Sequence, residues 1–238
     1  LQLHNPHSVL AVFETRPQDV LEVRLSSRPS AAWNDVAELA RRHRVPVGVA
    51  QNPRGTARGL GRSGAATASM RERDGVELEE LFAATDGSPH KTGLWLALDT
   101  IQDPHNVGAI FRSAAFFGVR GIVLTQDRSA PLNATVYDVA SGGVEHMPFS
   151  LQTNLSRSLD EAKQAGLWVL GASEHAGQDV SAVDRRRPWL LVAGNEEKGL
   201  RRLTLSKCDE LCRLTARGRI GSLNVSVATA VLMSELTR

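Results

Sequence analysis

Short apolar runs and stretches of helical periodicity alternate along the larger, carboxyl-terminal part of the chain. Apolar runs typical of strands occupy residues 94–98, 121–125, 167–171, 189–194 and 209–214. Helical spacing of apolar residues lies between and after them, at residues 106–117, 133–140, 159–165 and 222–236. Strands that alternate with helices form a parallel sheet with helices on both faces. The sequence therefore predicts an α/β domain over residues 94–238.

A smaller α/β unit precedes this domain. Its pattern is helix, strand, helix, strand and strand, at residues 7–14, 21–25, 32–43, 45–50 and 65–70. Residues 76–93 then contain one short helical stretch, 76–84, and a turn-forming Asp-Gly-Ser-Pro sequence at 86–89. We therefore expect a small amino-terminal domain over residues 1–75 and a linker over residues 76–93.

Arginines are concentrated in a few places, although the formal net charge of the 238 residues is only +2. Residues 41–71 contain seven arginines and no acidic residue, and shorter clusters lie at 185–187, 201–202 and 217–219. The arginine side chain donates paired hydrogen bonds to phosphate groups. Contact with the phosphates of a nucleic acid is one interpretation of these clusters, and an ordinary solvated surface is the other.

The chain has none of the sequence features of a membrane or secreted protein. No apolar run approaches the roughly 20 residues of a membrane helix. The first residues do not form a basic region followed by an apolar core. Cys208 and Cys212 lack the additional His or Cys residues of a metal site, so we expect reduced thiols and no metal. These features predict a cytoplasmic protein.

Three polar segments follow predicted strands, and the carboxyl ends of strands are where folds of this class bind ligands. The first segment, residues 98–114, leads into a helix that is expected to begin near Asn106 and that contains Gly108 and Arg112. Arg112 lies six residues after Asn106, just under two helical turns, so we expect both side chains to face one side near the strand end. Free N–H groups at a helix start attract anions, and a glycine allows close approach. A capping asparagine followed by a surface arginine is the simpler explanation of the same residues.

The other two segments also combine glycines with polar residues. Residues 193–200 form a turn with two glycines and the carboxylates of Glu196 and Glu197. These carboxylates would repel phosphate, so the turn suits an arginine or a cationic ligand, unless it is only a solvated turn. Residues 214–228 place a basic, glycine-containing loop before an apolar helix, with Ser222 as a candidate helix cap. A cap alone does not explain the polar Asn224.

Taken together, the three segments resemble the three motifs of the SpoU/TrmH family of RNA 2'-O-ribose methyltransferases, in the SPOUT superfamily. The resemblance rests on Asp-Pro-His-Asn-Val-Gly at 103–108 with Arg112, on the acidic turn, and on Ser-Leu-Asn-Val-Ser at 222–226. It covers residues 94–238 strongly and is weaker for residues 1–75, which are similar to an αβα substrate-binding domain. It implies a trefoil-knot domain, S-adenosylmethionine as cofactor, tRNA or rRNA as substrate, and a homodimer.

The resemblance also implies roles for individual positions. Five positions match catalytic residues of the family: Asn106, Arg112, Glu196, Ser222 and Asn224. Three positions match residues that hold S-adenosylmethionine: Gly194, Leu214 and Leu223. Glu197 stands where the family often has glycine, and Thr215-Ala216 departs from the usual Pro-Met. Both departures concern the cofactor loops, so cofactor affinity is the property that they affect.

The chemistry requires activation of a ribose hydroxyl, which is a poor nucleophile at neutral pH. Because arginine is normally protonated, we expect Arg112 to clamp the neighbouring phosphate and to lower the pKa of the hydroxyl. One alternative is an RNA-binding protein of this fold that no longer methylates. Another is a nucleotide-dependent oxidoreductase, since residues 59–64 spell Gly-x-Gly-x-x-Gly, although no acidic ribose ligand follows at the usual distance.

Overall fold

The structure is a computed structural model that describes residues 1–50, 65–83 and 92–238. The first elements are β1 (Gln2–Leu3), α1 (Pro6–Thr15), β2 (Val20–Leu25), α2 (Ala31–Arg42), β3 (Val47–Val49), β4 (Thr67–Met70) and α3 (Leu78–Phe82). Next come β5 (Gly93–Leu98), α4 (Pro104–Phe117), β6 (Ile122–Thr125), α5 (Ala134–Ala140), α6 (Gly143–His146), β7 (Phe149–Gln152) and α7 (Leu155–Gln164). The last are β8 (Trp168–Ala172), β9 (Gln178–Asp179), β10 (Pro188–Ala193), α8 (Arg202–Lys207), β11 (Glu210–Arg213) and α9 (Val225–Leu236).

The larger sheet has the strand order β7-β6-β5-β10-β8-β11-β9. All its pairings are parallel, which confirms the predicted parallel α/β sheet. The two central strands, β5 and β10, run in register from Gly93 opposite Pro188 to Leu98 opposite Ala193. Their carboxyl ends therefore lie side by side.

Both faces of this sheet are covered. Leu94, Leu96 and Leu98 of β5 belong to one apolar core, whereas Trp95 and Ala97 belong to another. The first core includes residues of α4, α5 and α9, and the second includes residues of α3 and α7. Burial on both faces explains why these strands are continuous apolar runs in the sequence.

The smaller sheet has the order β1-β4-β2-β3. β2 and β3 are parallel and are joined through α2, while β4 pairs antiparallel with β1 and β2. Its core is continuous with that of the larger sheet, because Leu3, Val9 and Val12 belong to the same cluster as Leu96. The division into residues 1–75, 76–93 and 94–238 stays a prediction, as does the trefoil knot.

The predicted helices and strands agree with the structure to within a few residues where the patterns were long. The sequence analysis did not anticipate β1, α6, β7, β9 or α8, which are all short. Three of the predicted features lie outside the described residues: the glycine motif at 59–64, the turn at 86–89, and Arg54, Arg58 and Arg62. Within residues 1–50, 65–83 and 92–238, no helix combines the length and apolar character needed to cross a membrane.

Candidate active site

The three predicted segments meet at one edge of the larger sheet, where β5, β10 and β11 end. The first segment leads into α4, which begins at Pro104, two residues earlier than expected. Asp103 caps this helix, because its carboxylate accepts a hydrogen bond from the His105 N–H at 2.8 Å. The interpretation of Asn106 as the helix cap is therefore wrong, and its amide is used elsewhere.

Asn106 connects all three segments through its side chain. Its Nδ2 donates to Oε1 of Glu196 at 3.0 Å, and its Oδ1 accepts from Nδ2 of Asn224 at 3.0 Å. Asn106 itself is only 7% exposed. Because one amide is used as donor and acceptor at once, the three loops have one fixed arrangement.

Asn224 also starts the terminal helix. Its Oδ1 accepts hydrogen bonds from the N–H of Ser226 at 2.9 Å and from its Oγ at 2.6 Å. The helix therefore begins at Val225, and the expectation that Ser222 is the cap is wrong. Ser222 lies in the exposed loop before the helix.

Arg112 lies apart from this hydrogen-bonded group. The expectation that Arg112 and Asn106 face one side is wrong, because six residues along a helix turn the side-chain direction by about 240° and the two point to different sides of α4. Arg112 is exposed, and no ion pair or hydrogen bond is recorded for it with any other residue that the structure describes. Its backbone is closely approached by Gly143, where an added Cβ would lie 2.9 Å from the Cα of Arg112. The close neighbours of Gly108 are likewise protein, namely the Val139 side chain and the Val136 carbonyl of α5.

The loop after β10 is tightly closed. Asn195 and Gly199 exchange two backbone hydrogen bonds, of 3.1 and 2.9 Å. Gly194 packs against this closure, and a Cβ at that position would lie 2.4 Å from the carbonyl carbon of Gly199. The Asn195 amide also donates to the Thr100 carbonyl at 2.9 Å. These contacts hold Glu196 at the exposed tip of the loop.

Asp99 is a site residue that the sequence analysis missed. It is the first residue after β5, and its carboxylate is completely buried. One oxygen lies 2.6 Å from Nε of Arg201, and the other accepts from Oγ1 of Thr204 at 2.7 Å. Asp99 therefore anchors the far end of the 194–201 loop. The signal in the sequence that could have identified Asp99 is a single acidic residue directly after a buried strand.

Asp179 anchors the third segment in a similar way. Its Oδ2 accepts hydrogen bonds from the N–H of Thr215 at 3.1 Å and from its Oγ1 at 2.5 Å. The hydrogen bonds from Thr215 and from Ser181 hold the pKa of Asp179 well below its usual range. Thr215 is one of the residues that depart from the family motif, and here it is tied down by its hydroxyl.

The second and third loops enclose a cleft of about 550 Å³. Five of the eight predicted site residues line it: Gly194, Glu196, Leu214, Ser222 and Leu223. Asn106 is connected to the cleft through its hydrogen bond to Glu196, and Asn224 through its hydrogen bond to Asn106. Clefts of this size accommodate ligands as large as a nucleoside derivative. The roles of the individual residues stay predictions.

Residues 93–234 match the model of the SpoU rRNA Methylase family. The chain belongs to this family. Its members' enzyme class agrees with the sequence prediction, so S-adenosylmethionine-dependent methylation of an RNA ribose is confirmed as the function class. Family membership also sets aside the oxidoreductase alternative.

Relatives in the family extend over the whole chain. The chain is 40% identical to the 23S rRNA (guanosine-2'-O-)-methyltransferase RlmB of Pseudomonas aeruginosa, and the match covers 100% of the chain and 96% of that protein. It is 36% identical to the RlmB of Bordetella pertussis, with 98% and 94% covered. The amino-terminal unit therefore has a counterpart in these relatives.

Solved structures show the same fold. The SpoU methyltransferase AviRb from Streptomyces viridochromogenes superposes with a TM-score of 0.80 at 20% identity, over 100% of this chain and 88% of that one. AviRb in complex with its cofactor AdoMet gives a TM-score of 0.79, also at 20% identity, over 100% of this chain and 89% of that one. The structural likeness confirms the α/β architecture of the SpoU methyltransferases.

Proposed function

We propose that this chain transfers a methyl group from S-adenosylmethionine to the 2'-hydroxyl of a guanosine in 23S rRNA. The proposal is supported by RlmB relatives that match at 35–40% identity over nearly the whole chain. The names of these relatives carry the choice of nucleotide and RNA, and the structural support for the transfer step is the Glu196–Asn106–Asn224 hydrogen-bonded group beside the cleft. We place the reaction in the cytoplasm, which suits the two free thiols of Cys208 and Cys212.

The cleft suits S-adenosylmethionine in both size and chemistry. Its lining carries both signs of charge, with carboxylates at Glu174, Glu196 and Glu197 and cations at Lys198, Arg213 and Arg217. Such a lining suits S-adenosylmethionine, which has a carboxylate as well as positively charged groups. Leu214, Leu223 and Leu232 provide apolar surface suited to an adenine ring. When bound, the cofactor supplies an electrophilic methyl group on a positively charged sulfur. The residues proposed to hold it are Gly194, Leu214 and Leu223.

Glu196 is held ready to orient a hydroxyl group. Asn106 binds one carboxylate oxygen at 3.0 Å, and Asn195 approaches the other at 3.4 Å. The carboxylate is exposed, so its remaining lone pairs can accept hydrogen bonds from a ribose. Asn224 donates a hydrogen bond to the oxygen of the same Asn106 amide. Ser222 contributes a hydroxyl to the wall of the cleft. Alignment of the nucleophile is the main contribution that this group makes.

Arg112 supplies the positive charge. A guanidinium that has no recorded carboxylate partner in the described part of the chain is available for a phosphate of the RNA. Because Arg112 and Asn106 leave α4 in different directions, we propose that the exposed Arg112 side chain acts on the phosphate beside the target ribose and not on the ribose itself. Its charge would then stabilise the negative charge that develops on the 2'-oxygen.

Replacing Arg112 with alanine tests this assignment. Removal of one such charge-stabilising donor is expected to slow methyl transfer about 10²–10³-fold, with S-adenosylmethionine affinity unchanged. Arg157→Ala, on the exposed face of α7, is the matched control. The assay uses unmodified 23S rRNA transcribed in vitro and maps 2'-O-methyl positions. Full activity of Arg112→Ala would exclude the proposed role, and a methyl group on a base would exclude the proposed reaction.

The arginines that remain available for RNA are fewer than the sequence suggested. Three clustered arginines form ion pairs: Arg185 with Glu235, Arg186 with Asp184, and Arg187 with Glu210. The guanidinium of Arg187 also stacks 4.1 Å from the centre of the Trp168 ring. Arg201 pairs with Asp99, and Arg71 approaches Asp19. Exposed arginines with no acidic partner among the described residues include Arg41, Arg42, Arg44, Arg217 and Arg219.

We propose that these five arginines contact RNA phosphates. Two groups result, one at the end of α2 and one in the loop before α9. Contacts of this kind position the RNA without reading its sequence. RNA affinity should therefore fall steeply as salt increases, and substitutions in either group should reduce the slope of that dependence. An affinity that is independent of salt would contradict this assignment.

We also propose a homodimer formed through α4 and α9, which pack against each other. Phe116 of α4 is 83% exposed, and Val227 and Val231 of α9 are 49% and 40% exposed. Exposed apolar side chains on two helices that pack together are typical of a protein–protein interface. Light scattering of Phe116→Glu and Val231→Glu should show monomers. Leu203→Glu, which changes an exposed leucine on α8, should stay dimeric. A monomeric wild-type protein would exclude the dimer.

A further inference from the structure

A buried ion pair joins the amino-terminal unit to the larger sheet domain. Arg16, the residue after α1, donates from Nε and from one terminal nitrogen to the two oxygens of Glu145 in α6, both at 2.8 Å. Arg16 is 8% exposed and Glu145 is 4% exposed. The same guanidinium donates to the Arg71 carbonyl at 2.9 Å. The pair therefore has a fixed two-bond geometry and is shielded from water.

Such a pair specifies geometry more than it stabilises the fold. Removing two charges from water has a cost that offsets most of their attraction, and apolar replacements are often as stable. A planar fork that meets a carboxylate through two parallel bonds allows only one orientation. Other bonds fix the same contact: Asp138 accepts from the N–H groups of His4 and Asn5 at 3.0 and 2.9 Å. The Ser8 hydroxyl donates to the Tyr137 carbonyl at 2.6 Å.

The turn just before Glu145 lies between α1 and α4. Gly142 has a φ of +96°, and a Cβ there would lie 3.0 Å from the Cβ of Ala11 in α1. On Gly143, a Cβ would lie 2.9 Å from the Cα and the N of Arg112 in α4. The Gly142–Gly143 turn therefore packs closely against α1 on one side and against the backbone of Arg112 in α4 on the other.

We propose that Arg16 and Glu145 are positioning residues, which set the placement of the amino-terminal unit relative to Arg112. The proposal rests on the proposed function, in which Arg112 acts on a phosphate of the bound RNA and the amino-terminal unit binds the same RNA. RNA held on the exposed arginines of α2 then presents its target ribose at a fixed distance from α4. The route is Arg16 to Glu145, then the Gly142–Gly143 turn, then Arg112.

The test replaces the pair with apolar side chains of similar size, in the double variant Arg16→Met/Glu145→Leu. Arg24→Met, which removes an exposed pair with Glu22 on β2, is the control. Thermal unfolding, S-adenosylmethionine affinity, affinity for 23S rRNA transcribed in vitro, and the single-turnover rate of methyl transfer are measured. We expect the first three to be unchanged in the double variant. The transfer rate should fall about 10–100-fold, because misplacement by an ångström has effects of that size.

The outcomes separate positioning from stability. A folded double variant that transfers methyl groups at the wild-type rate overturns the proposal. Loss of transfer in parallel with loss of cofactor binding indicates a purely structural pair and also overturns it. If the double variant does not fold, Glu145→Gln, which keeps the side-chain size, decides by the same criteria. A wild-type protein that methylates no 23S rRNA contradicts the proposed function instead, and the variants are then compared on total cellular RNA.

Discussion

The carboxylate of Asp99, completely buried at the end of β5, lies 2.6 Å from Nε of Arg201 at the start of α8. This contact ties the strand that leads to the first motif to the loop of the second motif. Arg201 is partly exposed, so it regains water when the pair is broken, whereas Asp99 cannot. The retained partner of Asp99, Thr204, donates its hydroxyl at 2.7 Å.

We expect Asp99→Asn to lower the free energy of unfolding by about 1–3 kcal/mol, since an amide NH2 then faces the Arg201 guanidinium in place of a carboxylate oxygen. S-adenosylmethionine affinity should fall as well, because Asp99 anchors the loop that carries Glu196. Chemical denaturation and calorimetry measure the two effects. The control is Asp160→Asn, which breaks a partly exposed pair with Lys207 and should cost less than about 1 kcal/mol. Equal losses in the two variants would contradict the anchoring role.

The role of the Asn106 amide can be tested by reversing the direction of its hydrogen bond to Glu196. Asn106→Asp places a carboxylate against Glu196, and the repulsion should lower methyl transfer by about 10²-fold or more. Adding Glu196→Gln provides an amide donor that faces the new carboxylate, so the double variant should recover part of the rate. Asn224 can donate to either side chain at position 106. Single-turnover kinetics of the two single variants and the double variant check this; strictly additive losses would mean that the two residues act independently.

The Thr215 hydroxyl holds the third loop through Asp179. In Thr215→Val the shape is kept and the 2.5 Å bond is lost, so we expect a several-fold weaker affinity for S-adenosylmethionine. Ser181→Ala removes the other hydroxyl that donates to the same carboxylate, at 2.7 Å, without touching the cleft. Calorimetry should find cofactor affinity reduced only in the first variant. If both variants bind alike, the loop does not depend on Thr215.

Gly194 offers a prediction from close packing. A Cβ at this position would lie 2.4 Å from backbone, so Gly194→Ala must displace the 195–199 turn. Cofactor binding and methyl transfer should both be lost. Gly177→Ala is the control, since nothing lies within 4 Å of its added Cβ and it should behave as wild type. Retained cofactor affinity in Gly194→Ala would show that the turn is not part of the site.

The sequence predicted the parts of the fold that depend on apolar pattern. The strands that became β5 and β10 are buried on both faces, so their residues are apolar without interruption. In contrast, α8 is short and largely exposed, and β9 has only two residues. Elements of that length carry too few apolar positions to show a period, because tertiary contacts rather than local pattern specify them.

The site was predictable as a set of segments but not as a set of contacts. Resemblance to a family located Asn106, Glu196 and Asn224, but it did not show that one amide joins them. Asp99 and Arg201 are 102 residues apart, and nothing local to either residue reveals the pair. The predicted helix caps were wrong by a few residues for the same reason. The observed caps are Asp103 and Asn224 instead of Asn106 and Ser222, because the path of the preceding loop decides where each helix begins.

The double use of the Asn106 amide has a consequence for anyone who engineers this enzyme. A loop taken from another methyltransferase will fit only if it provides a hydrogen-bond acceptor in place of Glu196 or a hydrogen-bond donor in place of Asn224, at the distances seen here. The three loops are therefore one exchangeable part and not three. Libraries that vary residues 194–200 and 214–224 together, with Asn106 kept, should yield more active variants than libraries that vary either loop alone.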